Sequence, residues 1–393
     1  MKEVKAFSFH TPTRIEYGEG GLGKLLQEVE GFGSKRPLVV TDKGVIKAGI
    51  LEKIERQLNE GGFKFEVYSE VQPNPSDTLV EEAAELAKKL EVDLIIGVGG
   101  GSSMDTAKTM AMLIANGGRV HEYFGLGKVK KEALPVITVP TTAGTGSEVT
   151  IWAVLTDTRG RARTKVSLGS ALMSPRVALV DPLLTVSLPP AITAGTGMDA
   201  LTHAIEAYTA TISQPITDSL CLYAIELIGE SLVPAVMDGE NIKARDHMML
   251  GSLLAGIGIS NSDVGVAHFL SEAIGGLYNV PHGVATAVFL PYGIDHNLMA
   301  CPDKYIDIAR AMGEDVEGLS KVEAARRSIN AAANISKIVG IPSLKEIGVR
   351  KQDFDKICEI ASRNVSINSN ARRMTFEGFK KILEDAWKEV LIG

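Results

Sequence analysis

Cysteine is scarce in this sequence. Only three occur, Cys221, Cys301 and Cys358, and none forms a C-x-x-C pair. This excludes a disulfide framework and a cysteine zinc site, and it indicates a reducing compartment. Positive charge is not in excess either, since 41 lysines and arginines stand against 48 acidic residues, for a net charge of −7. We therefore do not expect a nucleic acid or an anionic membrane as the main partner.

Long apolar runs are missing as well. The opening residues, MKEVKAFSF, have no apolar run behind their charges, so we expect no signal peptide. No uninterrupted apolar run is long enough to span a bilayer. These absences together predict a soluble, cytoplasmic protein that acts on small molecules.

The pattern of elements divides the chain in two, as its 393 residues suggest. In the first half, short apolar strands such as 37–42 alternate with helical patterns such as 47–60, which predicts βαβ units and a parallel sheet. From about Pro189 the strand pattern stops and only helices are predicted. We therefore expect an α/β domain over residues 1–186 and an all-helical domain over residues 187–393.

A glycine-rich turn, GVGGGSSMDTAK (97–108), joins a predicted strand to a predicted helix. It fails the G-x-G-x-x-G fingerprint, because Ser102 stands where the last glycine would be, and it lacks the GK[ST] of a P-loop. Glycines still allow close approach of a ligand, and a helix N-terminus suits a phosphate. Phosphate binding is the favoured interpretation, and a plain tight turn is the alternative.

Two further polar segments follow predicted strands. PTTAGTGSE (140–148) carries hydroxyls and glycines where loops of a parallel sheet line a ligand crevice, although a solvated turn has the same composition. Asp42 ends the first strong strand, where a carboxylate commonly holds ribose hydroxyls and repels a 2′-phosphate. The alternative for Asp42 is an ordinary turn or N-cap aspartate.

The helical pattern GMDALTHAIEAY (197–208) sets Asp199 and His203 four residues apart, on one face. Two more histidines, His268 and His282, lie among apolar residues in VAHFLSEAIGGLYNVPHGVA. Each histidine alone is more often a hydrogen-bonded core residue than a ligand. One carboxylate and three imidazoles together suit Fe(II) or Zn(II) and do not suit calcium or magnesium.

These motifs, in this order, resemble the iron-containing (group III) alcohol dehydrogenases. GGGSSMDTAK looks like the nucleotide-binding turn of that family, PTTAGTGSE like its second cofactor loop, and GMDALTHAIEAY and LYNVPHG like its metal motifs. The resemblance covers nearly the whole chain. It implies a Rossmann-like parallel-sheet domain followed by an all-helical metal domain, the plan shared with dehydroquinate synthases.

The resemblance also implies a mechanism and a set of site residues. Hydride would pass between a small alcohol or aldehyde and NAD, with NADP possible, while Fe²⁺ or Zn²⁺ activates the alcohol oxygen. A homodimer or larger assembly is implied too. The implied metal ligands are Asp199, His203, His268 and His282. The implied cofactor residues are Asp42, Asn74, Gly99, Gly100, Gly101, Ser102, Asp105, Thr141, Thr142, Thr145 and Lys165.

One position departs from the family pattern. Many members carry a further histidine four residues after the third ligand, near the substrate and the nicotinamide, and this chain has Glu272 there. A buried glutamate with a raised pKa could accept a proton. A helix-surface residue without a role is the equally weighted alternative.

Two other functions share this plan. A polyol oxidoreductase similar to glycerol dehydrogenase is close, although those enzymes usually lack the PTTAGTGSE pattern in this form. A dehydroquinate-synthase-like lyase, which uses NAD transiently, needs clustered lysines and arginines for a phosphorylated substrate. No such cluster accompanies the metal motifs of this chain.

Overall fold

The computed structural model describes residues 6–160 and 163–391. They form two compact units, one of residues 11–187 and one of residues 188–391 joined by residues 6–10. The first residues belong with the helical unit because the His10 backbone N–H donates to Asn261 Oδ1 at 2.6 Å, and Asn261 Nδ2 donates back to the His10 carbonyl.

The α/β unit is built on a six-stranded, fully parallel sheet in the order β1-β9-β6-β4-β2-β3. Its strands are β1 (Arg14–Tyr17), β2 (Pro37–Val40), β3 (Glu66–Tyr68), β4 (Leu94–Gly99), β6 (Val136–Pro140) and β9 (Val177–Val180). From β2 the chain runs to β3 on one side and then returns to β4 on the other. The strand order therefore reverses between β2 and β4, which is where open α/β sheets bind their ligands.

Helices cover both faces of this sheet. They are α1 (Leu25–Gly31), α2 (Lys43–Lys47), α3 (Ile50–Glu60), α4 (Asp77–Lys89) and α5 (Gly101–Asn116). Alternate residues of β4 enter different cores: Ile95 packs with residues of α4 and α5, whereas Ile96 packs with residues of α1 and α3. A strand buried on both faces explains its continuous apolar sequence.

A second sheet of three strands lies in the same unit, in the order β5-β8-β7. Its strands are β5 (Gly125–Leu126), β7 (Trp152–Asp157) and β8 (Thr164–Gly169). Strands β7 and β8 pair antiparallel, with Thr156 opposite Lys165. The helix expected over 47–60 is α3, which begins three residues later because Gly49, with a left-handed φ of 70°, separates it from the short helix α2.

The helical unit contains α6 (Pro190–Thr209), α7 (Pro215–Met237), α8 (Ile242–Asn261), α9 (Val266–Tyr278), α10 (His282–Asn297), α11 (Pro302–Ala311), α12 (Lys321–Ile338), α13 (Phe354–Ala361) and α14 (Phe376–Lys388). By length and composition alone α7 is apolar enough to cross a membrane, but half of that stretch is buried and it packs against α6 and α8. A core helix has this composition. The predicted fold class, an α/β domain followed by a helical domain, is confirmed.

Candidate metal and cofactor sites

Helix α6 carries the first two candidate metal ligands. Proline at its first position fits a helix start, because proline lacks the N–H that would have no partner there. Asp199 and His203 are buried on one face, with 1% and 5% of their surfaces exposed. The Thr286 hydroxyl donates to Asp199 Oδ1 at 3.0 Å and so orients the carboxylate.

Helices α9 and α10 carry the other two candidate metal ligands. His268 lies in the first turn of α9, and His282 begins α10. One ligand atom from each of Asp199, His203, His268 and His282 lies within 4.8 Å of the other three. The His203 and His268 rings are stacked with centroids 4.5 Å apart. The structure thus brings together four side chains that span 84 positions of the sequence.

Two distances in this four-residue cluster can be compared directly with those around a metal ion. Two atoms bound to one Fe²⁺ or Zn²⁺ at about 2.1 Å lie at most about 4.2 Å apart. Asp199 Oδ1 is 3.9 Å from His268 Nε2 and 3.8 Å from His282 Nε2. Within the described residues, the buried His268 Nε2 has no hydrogen-bond partner, which is costly unless a ligand uses its lone pair. The donor set suits iron or zinc.

A close approach of two helices allows this convergence. A Cβ on Gly283, the second residue of α10, would lie 2.2 Å from the backbone oxygen of Gly195 and 3.2 Å from Asp199 Cβ. Only glycine lets α10 approach α6 so closely. His282, its neighbour, can therefore reach Asp199.

Glu206 also belongs to this region, and the sequence analysis missed it. It lies on α6 three residues after His203 and is 6% exposed. Its Oε2 is 2.6 Å from His268 Nδ1. Burial opposes the charged form of His268, but the charge and hydrogen bond of Glu206, together with the charges of Asp199 and Glu272, raise the pKa of His268. A D-x-x-x-H-x-x-E spacing on one helical face was the available signal.

Glu272 lies one helical turn after His268, on the same side of α9. It is half-buried, and its Oε2 accepts a hydrogen bond from Asn364 Nδ2 at 2.7 Å. Its charge also contributes to the raised pKa of His268, after the larger effects of burial, Glu206 and Asp199. The Glu272 carboxylate is thus held close enough to the four-residue cluster to affect the charge state of His268 electrostatically.

In the α/β unit, the glycine-rich turn follows β4 at the strand-order reversal. Gly99 has a φ of 142°, and a Cβ there would come within 2.6 Å of Ser103 Oγ. Helix α5 begins at Gly101, and its N-cap residue, Gly100, supplies no side-chain cap. Ser102 is the second residue of that helix. A helix N-terminus whose cap residue has no side chain is suited to a phosphate group.

The second loop packs directly on this turn. The Thr141 N–H donates to the Gly99 carbonyl at 3.0 Å. A Cβ on Gly100 would lie 3.3 Å from Thr142 Oγ1, and one on Gly101 would lie 2.8 Å from Thr145 Cγ2. The Thr142 hydroxyl is buried and lacks a hydrogen-bond partner within the described part of the chain. These features fit a dinucleotide whose pyrophosphate lies against the turn.

Asp42 lies beside the same turn and does two things. Its Oδ1 caps α2 by accepting from Gly44 N at 2.8 Å and Val45 N at 3.2 Å. Its Oδ2 accepts from the Ser103 hydroxyl at 2.9 Å, so it joins the ends of β2 and β4. The N-cap interpretation of Asp42 is therefore correct, and a ribose contact would be additional to it. Ser103 was not singled out in the sequence.

Asp105 anchors the second loop from inside α5. It is 8% exposed, and its oxygens accept from Ser147 Oγ at 2.5 Å and Val154 N at 2.9 Å. The fully buried Lys108 lies 3.2 Å from it and donates to the Ser147 carbonyl at 3.0 Å. Burial lowers the pKa of Lys108. Together with buried Glu148, these residues form what we call the loop-anchoring cluster: Asp105, Lys108, Ser147 and Glu148.

Asn74 and Lys165 are both neighbours of Thr156, a residue of the small sheet. Asn74 adopts a left-handed φ of 55°, and its carbonyl accepts from the Thr156 hydroxyl at 3.2 Å. Lys165 is half-buried on β8, opposite Thr156. The two residues are thus neighbours of one threonine, as expected if both contact the same part of a cofactor.

Comparison with known proteins shows which family the chain belongs to. Residues 12–182 match the model of the iron-containing alcohol dehydrogenases, and residues 193–387 match the C-terminal model of that family. An NAD-dependent methanol dehydrogenase of Bacillus methanolicus is 37% identical over 96% of this chain and 99% of its own length. A 1,3-propanediol dehydrogenase of Citrobacter freundii is 39% identical over 98% and 99%. The solved alcohol dehydrogenase from Oenococcus oeni is 38% identical, covers 97% of this chain and 100% of its own, and superposes with a TM-score of 0.93.

The chain belongs to the iron-containing alcohol dehydrogenase family, and it is an alcohol dehydrogenase of that type. The resemblance inferred from its motifs is confirmed.

Proposed function

We propose that this enzyme interconverts small alcohols and their aldehydes, using NAD(H) in preference to NADP(H) and one Fe²⁺ or Zn²⁺ held by Asp199, His203, His268 and His282. The observation that carries the proposal is the convergence of these four side chains within 4.8 Å, with a buried imidazole nitrogen that has no partner among the described residues. When bound, such a metal supplies a Lewis acid that polarises the alcohol or carbonyl oxygen, and NAD supplies the hydride acceptor.

The residues of the chain supply position and charge. Asp199 gives the cluster its one anionic ligand, and the Thr286 hydroxyl fixes the orientation of that carboxylate. Burial of Asp199, His203 and His268 keeps bulk water away from the ligand atoms, so that charges there are poorly screened. Electrostatic stabilisation of this kind is commonly the largest contribution to catalysis.

We propose that the α/β unit holds the dinucleotide. The N-terminus of α5, with Gly99, Gly100, Gly101 and Ser102, receives the pyrophosphate, and Thr141, Thr142 and Thr145 line it. Asp105 contributes by anchoring the second loop through Ser147, and Asn74 and Lys165 contribute from the small sheet.

The first experiment joins metal analysis to an activity assay. We would purify the protein without chelator, measure iron and zinc, and assay the same sample with NAD and NADP against short alcohols, diols and aldehydes, since related enzymes carry methanol and 1,3-propanediol in their names. About one metal per chain with NAD-linked turnover is expected. No turnover after anaerobic Fe(II) would overturn the proposal. Growth of absorbance at 340 nm with alcohol excludes a lyase that uses NAD only transiently.

Asp42 underlies the proposed preference for NAD. Its carboxylate lies at the strand-order reversal, where a 2′-phosphate would meet a like charge. Asp42→Asn keeps an oxygen that caps α2 and removes the negative charge that would repel a 2′-phosphate. We therefore expect the NADP-linked kcat/KM to rise roughly tenfold. Similar kcat/KM values for the two cofactors in the unchanged enzyme would exclude this role.

We propose that Glu272 handles protons near the substrate, in place of the histidine of other family members. Its half-buried carboxylate, held by Asn364, supports this. Glu272→Gln retains a partner for Asn364 and should lower kcat about 10²-fold without changing the metal content. An unchanged kcat and pH profile would favour the surface interpretation instead.

From the family resemblance we also propose a homodimer or larger assembly and a cytoplasmic location. Mass photometry of the purified enzyme tests the first, and a monomer at working concentration would contradict it. Fractionation of the source cells tests the second.

A further inference from the structure

Glu206 is the best-connected buried carboxylate near the proposed metal ligands. Its Oε2 accepts from Gly265 N at 2.7 Å and lies 2.6 Å from His268 Nδ1, while its Oε1 accepts from Ala267 N at 2.7 Å. Two backbone N–H groups and one imidazole thus meet a single buried side chain, and both of its oxygens serve as acceptors.

The contact with His268 decides which ring nitrogen carries the proton. Because both oxygens of Glu206 already accept from backbone N–H groups, we take Glu206 as the acceptor in this contact and Nδ1 of His268 as the protonated nitrogen that donates to it. In the neutral imidazole, Nε2 then carries the lone pair. That Nε2 is the buried nitrogen without a partner in the described residues, and it lies 3.9 Å from Asp199 Oδ1.

The carboxylate is itself held in place. Gly265 and Ala267, which it binds, belong to the first turn of α9, the same turn that carries His268. Gly265 leaves room for it, since a Cβ there would lie 2.9 Å from Glu206 Oε1. Glu206 also lies at the eighth position of the helical stretch that starts with Asp199, on the same face. One residue of α6 therefore fixes the start of α9 and its imidazole against the other ligands.

We propose that Glu206 is a positioning residue that sets the tautomer and orientation of His268 for metal binding. This rests on the proposed function for the metal, but the tautomer itself is a property of the metal-free protein. Partners of metal-bound histidines commonly change metal affinity by 10- to 100-fold.

The test uses Glu206→Gln, which keeps the size of the side chain and replaces one acceptor oxygen with an amide NH₂ group, a donor. Metal affinity is measured by competition with a chromophoric zinc chelator. Ring nitrogen shifts of ¹⁵N-histidine protein, without metal and at a pH high enough to keep the His268 ring neutral, report the tautomer, and His268→Gln assigns the signal. We expect zinc to bind 10- to 100-fold more weakly, and the His268 signal to leave the Nδ1–H form.

Two control variants separate positioning from stability. Glu230→Gln makes the same change at an exposed site on α7. Asn370→Ala removes the side chain that accepts from Val266 N, so it loosens the start of α9 without touching His268. Both should keep zinc affinity within threefold and leave the tautomer unchanged.

The outcomes are distinct. If Glu206→Gln keeps both the zinc affinity and the tautomer of the unchanged protein, the inference is wrong. If Asn370→Ala weakens zinc as much as Glu206→Gln, the effect is general to α9 and the inference is also wrong. Should Glu206→Gln not fold, Glu206→Asp is judged by the same two readouts. If the unchanged protein binds no metal, the proposed function fails, while the tautomer measurement still decides the role of Glu206.

Discussion

The two units differ in how their buried ionisable side chains are paired. In the loop-anchoring cluster of the α/β unit, the ammonium of Lys108 is surrounded by partners from its own chain: Asp105 at 3.2 Å, the Ser147 carbonyl at 3.0 Å and Thr150 Oγ1 at 3.3 Å. In the helical unit, Asp199 and three imidazoles converge, and the Nε2 atoms of His268 and His282 stop 3.8–3.9 Å from Asp199 Oδ1. Those distances are too long for hydrogen bonds.

This difference separates a structural site from a binding site. A charge whose partners all come from the same chain ties segments together, as Lys108 and Asp105 tie the second cofactor loop to α5. Buried ligand atoms that lie 3.8–3.9 Å apart, as Asp199 Oδ1 does from the Nε2 atoms of His268 and His282, are close enough to share an ion but too far apart to satisfy one another by hydrogen bonds. Burial or a shifted pKa alone would not distinguish the structural site from the binding site, because both contain buried ionisable groups.

The largest effect is expected from His203→Ala, which removes one of the four converging ligands. We expect kcat/KM to fall at least 10³-fold, about 4 kcal/mol of transition-state stabilisation, and metal content to fall with it. The circular dichroism of the metal-free protein should change little, because the rest of α6 remains packed. Turnover at the original rate in a variant that holds no metal would refute the metal mechanism.

Lys108→Met should instead act on stability. It leaves the buried Asp105 without its cation, a change that costs about 3 kcal/mol in buried pairs. Urea unfolding measures this, and the metal content of the folded fraction should not change. The matched control is Lys89→Met, an exposed lysine of α4, for which we expect a change within about 0.5 kcal/mol. Equal effects of the two variants would mean that the cluster does not stabilise the fold.

Gly283→Ala tests the close approach of α10 to α6. Its Cβ would lie 2.2 Å from the Gly195 oxygen, so α10 must shift, and we expect zinc affinity to fall about 30-fold, or roughly 2 kcal/mol. Gly195→Ala is the matched control from the same contact, since its Cβ would only reach Val284 Cγ2 at 3.4 Å. If both variants bind zinc equally well, the spacing of these helices does not limit the site.

The smallest effect concerns Glu148, the one member of the loop-anchoring cluster with an unpartnered oxygen among the described atoms. Burial raises its pKa to about 7. The folded protein therefore holds a proton that the unfolded chain loses above its usual pKa of 4.5, so stability falls as pH rises from about 4.5 to 7 and levels off above.

The size of the pKa shift of Glu148 limits its contribution to the free energy of unfolding to about 3 kcal/mol, and we expect about half of that value. Glu148→Gln should remove this loss. Between pH 5 and pH 8, the free energy of unfolding should therefore fall less in the variant than in the unchanged protein. Urea unfolding at both values checks it, with exposed Glu226→Gln as control. A pH slope that survives in Glu148→Gln would exclude this residue as its source.

The four-residue cluster could be predicted from the sequence because its residue types are few and chemically specific. Asp199 and His203 lie four apart on a helix, and only seven histidines occur in the chain. Glu206 could not be picked out in the same way. Glutamate on a helix is usually a solvated residue, and only the fold shows that the first turn of α9 packs against it.

The four central strands of the main sheet, β2, β4, β6 and β9, were likewise predictable, because strands buried on both faces are continuously apolar. The edge strand β1 is only partly buried and was not predicted. The small sheet was not, since β7 and β8 are only partly buried and their pairing is set by tertiary contacts such as that of Thr156 N with the Pro75 carbonyl. The break between α2 and α3 depends on one left-handed glycine, Gly49, whose conformation an amphipathic pattern does not reveal.

The span of the four-residue cluster along the chain has a consequence for synthesis and folding. During synthesis, Asp199 and His203 emerge from the ribosome well before His268 and His282. The early chain therefore carries only two of the four proposed metal ligands. Two ligands on one helix hold a divalent ion weakly, whereas four from three docked helices hold it firmly. If the four residues bind the metal as proposed, loading would wait until α9 and α10 have packed against α6, and a half-folded chain would have little capacity to capture the wrong ion.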